Sequence, residues 1–220
     1  MNILETLQRI TLLFLLGFPL IMICLIGFLS MSILNTGTIF LFVGQVIIVP
    51  VITALIQIVT SFLPGTHVPP SDVGLLVPSM KEALAVSRFN VAPSYWMSQV
   101  VFLCSYVFMN AYDVHGIDTK SGLAASGPKW KLENRRARSL MIMIVCVLSL
   151  IALVVSRYYM TGSETPFGIL IALGAFIPVA YYWYNVSTKH GAQNGDIFGI
   201  IQQMIPSVEE DTTASLCIKA

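Results

Sequence analysis

PSYWMSQVVFLCSYVFMNAY occupies residues 93–112 and decides how the chain is arranged. It is about one bilayer long, since a helical span needs roughly 20 residues at ~1.5 Å rise. It is also wetter than the apolar runs on either side. Ser94, Ser98, Gln99, Ser105 and Asn110 interrupt it, and only residues 100–104 and 107–109 are cleanly apolar. A hydrophobic hairpin lies before it and another after it. If the segment crosses a bilayer, the two halves of the chain are related in one way; if it is re-entrant or buried against the bundle, in another. In the second case, irregular backbone around it must be covered by protein.

The composition is that of a membrane protein. Hydrophobic residues make up 56% of the 220 residues and charged residues only 10%, against about 25% charged in a soluble domain. The net charge of +1 offers no global attraction for nucleic acid. Cys24, Cys104, Cys146 and Cys217 form no CxxC spacing and read as small apolar residues. His67, His115 and His190 sit in three separate polar segments. No metal site or cofactor is expected from them.

The chain divides into four parts. Residues 1–63 form an N-terminal transmembrane hairpin, with spans at about 10–34 and 38–63 around the turn Asn35-Thr-Gly37. The apolar run after Arg9 is too long for a cleaved signal core, so the first span is read as uncleaved. Pro19 is expected to kink it. Gly37 and Gly44 share one face of the second span, where a neighbour can pack closely. Gln45 and Gln57, on a span that also carries Pro50, read as interhelical hydrogen-bond partners or as part of a polar path. Residues 64–138 are polar loops around the ambiguous membrane helix 94–112. Ser79 and Glu82 form a capping box for a short surface helix or an ordered loop. Residues 139–185 form the C-terminal transmembrane hairpin, connected through residues 161–166. Its small residues, Ser149, Ala152 and Ser156 in one span and Gly168, Ala172 and Ala175 in the other, suit helix packing. The aromatic run 181–184 suits the headgroup level, as do Tyr95, Trp96 and Tyr112. Residues 186–220 are a polar tail. The sequon at Asn185 abuts the last span and is expected to be unused, and the ending Cys217-Ile-Lys-Ala220 fits prenylation poorly because of Lys219.

The fold class is therefore all-α: a polytopic transmembrane helical bundle with four spans plus a fifth, ambiguous membrane helix at 94–112. The distribution of Lys and Arg favours four crossings, which would leave Arg157 alone on one side. The length and aromatic borders of the fifth helix favour five.

No Walker loop, dinucleotide fingerprint, serine elbow or HExxH occurs. The expected function is that of a non-enzymatic structural component of a larger membrane assembly. Its contacts with partners or lipid are expected at Lys129, Trp130, Lys131, Arg135, Arg136 and Arg138 in the basic loop, and at Ile197 and Ile201 in an amphipathic part of the tail. The alternative is a small channel or carrier with a polar path lined by Gln45, Gln57, Gln99 and Asn110. A third reading, a membrane enzyme, needs at least two of Asp72, Glu82, Asp113 and Asp118 in one pocket. Membrane lipids and protein partners are expected; a nucleic acid or a small-molecule substrate is not.

Three short pieces also carry a resemblance: Pro93-Ser-Tyr-Trp-Met97, Asn110-Ala-Tyr112 and Asn134-Arg-Arg-Ala-Arg138, each placed before or along a hydrophobic span. Over about residues 35–160 the chain resembles small multi-span, minor capsid-associated membrane proteins of large icosahedral DNA viruses with an internal membrane. The resemblance implies a structural role in the internal virion membrane, linking it to capsid or scaffold proteins through the basic loop and the tail. It carries no catalytic residues over.

Overall fold

The computed structural model describes residues 3–33, 36–62, 92–121, 129–161 and 164–189. Among them are five helices. α1 is Ile3–Ile33. α2 comprises Thr36–Val43, a π-helical turn at Gly44–Ile48 and Val49–Thr60. α3 is Tyr95–Ser121. α4 is Lys129–Ser156, extended by a second π turn at Arg157–Thr161. α5 is Pro166–Lys189. Three stretches are long and apolar enough to cross a membrane: Gly37–Thr60, Arg136–Tyr159 and Pro166–Lys189. The first span expected from the sequence is represented by a shorter apolar stretch, Gly17–Met31.

The helices alternate in direction. The last turn of α2, the start of α3, the end of α4 and the start of α5 meet at one end of the bundle, where Thr60 contacts Ala92 and Ser94 contacts Glu164. At the opposite end Asp113 of α3 meets Tyr184 of α5. α3 thus runs the length of the bundle beside α5. The ambiguous helix is also longer than 94–112, because nine further residues continue it to Ser121.

α3 is the core. Residues 96–103 are buried without a break, and the helix supplies seven of the fifteen residues of the buried apolar cluster. A helix buried on all sides need not be greasy, because its polar groups face protein rather than lipid. α4 is its opposite. Only 6% of its apolar stretch is buried, and Leu140, Met141, Ile144, Leu148 and Ile151 face outward.

The small-residue stripes divide accordingly. Gly168, Ala172, Phe176, Ala180 and Tyr184 recur every four residues as the buried face of α5, and Ala175 is half-buried. On α4, Ala152 is exposed, so that stripe does not form a packed seam; Leu150, Leu153 and Val154 make the contact instead.

Two prolines account for part of the hydrogen bonding that α3 offers its neighbours. Pro19 has no N–H, so the carbonyl of Leu15, four residues earlier, lacks its helical donor. The indole Nε1 of Trp96 donates to it at 2.7 Å. In α2, the Val49 N–H bonds to Gly44 O, five residues back rather than four. Gln45 O thereby loses Val49 as a donor, and the next residue, Pro50, has no N–H to offer. Gln99 Nε2 donates to Gln45 O at 2.9 Å, and Gln45 Nε2 donates to Gln99 O at 3.2 Å. Two proline defects in two helices are thus covered by side chains one turn apart on a third. Pro19 lies inside an unbroken α1, and the distortion in α2 takes the form of a π turn rather than a break.

The π turn also brings backbone close to its neighbours. A Cβ at Gly44 would stand 2.7 Å from the Phe102 ring and 2.9 Å from Trp183 Nε1. That indole donates to Phe40 O at 2.8 Å.

Two measurements of thermal unfolding in detergent test this packing. Gln99→Leu is expected to cost roughly 1 kcal/mol in the native chain and less in a Pro50→Ala background, where an N–H returns to the turn. An equal cost in both backgrounds contradicts the proline argument. Gly44→Ala is expected to cost about 1–3 kcal/mol by overpacking. Gly174→Ala, where a Cβ meets nothing within 4 Å, should be neutral or slightly stabilising.

Candidate functional site

The helix ends around Ser94 hold the most concentrated buried polarity among the described residues. Ser94 caps α3: its Oγ accepts the Met97 N–H at 3.1 Å, and it donates to Glu164 Oε1. Arg157, in the π turn that ends α4, places Nε 3.5 Å from the same carboxylate oxygen. Both charged side chains are buried, at 2% and 1% exposure. The Arg157 guanidinium lies 5.1 Å from the centroid of Trp96. Trp96 in turn holds Leu15 of α1. The knot therefore joins α1, α3, α4 and the connection into α5.

The backbone around it is also held. The Ala92–Pro93 peptide is cis. Ala92 O accepts from Thr60 Oγ1 at 2.6 Å, and Pro93 O accepts from Gln57 Nε2 at 2.8 Å. Thr165 caps α5, its Oγ1 accepting the Gly168 N–H at 3.0 Å, with Pro166 as the first helical residue.

Burial pushes the Glu164 carboxyl above its ordinary value; the Ser94 hydrogen bond and the Arg157 charge oppose that shift. Its second oxygen, Oε2, has no hydrogen-bond partner among the described residues.

At the other end the contacts are milder. Tyr184 Oη donates to Asp113 Oδ2 at 3.0 Å, and Tyr106 Oη donates to Ser187 Oγ at 3.0 Å. His115 Nδ1 lies 3.2 Å from Ser139 Oγ, which joins α3 to α4. The aromatic run at the end of α5 is split: Tyr181 and Tyr182 are exposed, while Trp183 and Tyr184 are bonded inward. Trp96 is likewise an internal donor rather than a headgroup anchor.

The residues expected to matter fall into three groups. Gln45 and Gln99 make one reciprocal contact and Gln57 another, while Asn110 is buried nearer the Asp113 end of α3. The three glutamines thus serve helix contacts at two separate places. Lys129, Trp130, Lys131 and Arg135 lie in the first turns of α4 rather than in a loop, and Arg136 and Arg138 of the same helix are exposed. Residues 113–121 are likewise helical. Ile197, Ile201, Asp72, Glu82 and the Ser79 capping box lie outside the described residues. Asp118 is in α3, and the sequon residue Asn185 is inside α5.

The Arg157–Glu164 pair was not among the expected site residues: Arg157 entered only the charge count for topology, and Glu164 lay in the connection at residues 161–166. The available signal was an arginine at the end of one apolar span and a glutamate inside the tight connection that follows it. Searches against protein-family models, curated proteins and solved structures find no match for this chain.

The Glu164 titration has a definite sign. Between its unfolded and raised folded values the native state holds more protons, so stability falls as pH rises. Glu164→Gln removes that titration. Wild-type stability relative to the variant should therefore decline as pH is raised above about 4.5. A difference that is flat with pH contradicts the assignment.

Proposed function

We propose that the chain is a non-enzymatic, multi-pass structural component of a membrane assembly. In this reading all five helices cross the bilayer, and α1, α3 and α5 run in the same direction. The Asp113 end then carries eight of the twelve Lys and Arg residues, and the opposite side carries Arg9, Lys81, Arg88 and Arg157. The positive-inside rule places the eight on the cytoplasmic or equivalent interior side. The basic start of α4 and the tail face that side as contact surfaces. The resemblance carried by residues 93–97, 110–112 and 134–138 extends the reading to an internal virion membrane attached to capsid or scaffold proteins.

The observation that carries the proposal is the use of the internal amides. The donor groups of Gln45, Gln57 and Gln99 all go to backbone carbonyls of neighbouring segments. Such bonds rigidify a bundle; a conduit needs polar groups that face a shared water-filled path. This use of the glutamines favours the structural reading over the channel reading.

Cross-linking mass spectrometry on membranes from the native source tests the role through Lys120, Lys129 and Lys131. Abundant links to a scaffold- or capsid-type protein are expected. Links confined to the chain itself, together with ion or solute flux in reconstituted vesicles, would overturn it in favour of a channel.

A further inference from the structure

We infer that the first turns of α4 form a binding surface for anionic phospholipid headgroups. The inference rests on the multi-pass reading above, but not on the assembly role. α4 runs unbroken from Lys129 into its outward-facing apolar stretch. Leu140 and Met141, just past Arg138, are exposed large apolar residues. With ~1.5 Å rise per residue, Arg138 lies about 3 Å and Arg136 about 6 Å above Leu140. Each headgroup layer is roughly 5–8 Å deep. Both arginines therefore sit at phosphate height, and both side chains are exposed.

The surrounding charge has the matching sign. The helical residues at this end, in α3 from residue 113, α4 to residue 138 and the last turn of α5, include seven basic residues against three acidic ones. Asp113, one of the three, is half-buried and accepts the Tyr184 hydroxyl. The Ser94 end offers no comparable described surface, since Arg157 is buried beside Glu164. Guanidinium groups suit this ligand because their fork of N–H donors matches phosphate oxygens in pairs. The other basic residues in the first turns of α4 add longer-range attraction within a Debye length.

Native mass spectrometry of the full chain tests this directly. The protein is reconstituted in nanodiscs of equal phosphatidylcholine and phosphatidylglycerol, extracted, and its retained lipids identified. Wild type is expected to retain phosphatidylglycerol preferentially, and less of it as salt rises. The Arg136→Gln/Arg138→Gln variant should bind it on the order of 30-fold more weakly, from about 5-fold per arginine. Unchanged phosphatidylglycerol retention in a folded variant overturns the inference. Equal retention of the two lipids by wild type also overturns it, without recourse to any variant, and returns the basic surface to a protein partner. Cross-links to a scaffold protein are a separate readout, so the assembly role can fail while lipid binding stands, and the reverse.

Discussion

A proline inside a buried helix leaves a carbonyl without its donor, and in this chain the third helix answers that requirement. Leu15 O, opposite Pro19, and Gln45 O, beside Pro50, are two such carbonyls, and Trp96 and Gln99 are the donors that reach them; Pro178 of α5 lies on an exposed face. A buried carbonyl without a partner costs about 1–3 kcal/mol. Measured interhelical hydrogen bonds in membrane proteins contribute less, about 0.6 kcal/mol on average. The force of the arrangement therefore lies in specificity. Donors at fixed positions on α3 set its depth and rotation against α1 and α2 at once. The apolar packing of Val100, Val101, Phe102 and Tyr106 then follows around it.

The Arg157–Glu164 pair works on the same principle at higher stakes. Two buried charges lose hydration that their mutual attraction offsets only in good geometry. Here the carboxylate is shared among a serine hydroxyl and an arginine, and the arginine is also stacked on Trp96. The indole thus touches both devices: one edge satisfies α1 and its face receives the cation. This continuity ties four elements together at the Ser94 end of the bundle. The Asp113 end is joined by hydroxyl contacts and opens onto the basic start of α4.

This asymmetry bears on function. Among the described residues, internal polarity is used for holding helices together, and the exposed charged side chains lie at the Asp113 end, on α4 and at the end of α5. A component that anchors a bilayer to something else needs that combination: a bundle that keeps its shape and a charged foot outside the apolar layer. A carrier would instead keep part of its internal polarity available to a moving solute.

Much of the architecture was legible along the chain. Long apolar runs mark α2, α4 and α5, Asn35 and residues 161–166 mark connections, and Pro166 marks the start of α5. The close approach at Gly44 and the bonding role of Gln45 and Gln57 follow from residue type in an apolar run. Hydropathy is a local sum, however, and it cannot tell a polar helix that leaves the membrane from one that is enclosed by other helices. The centrality of α3, the inward turn of Trp96, and the bond from Ser94 to Glu164 depend on contacts between residues 54 to 81 apart in the chain. The sequence by itself determined that the chain makes apolar helices with proline defects in known places. Only the tertiary structure decided which side chains cover those defects, because a hydrogen-bond donor is chosen by position in space and not by distance along the chain.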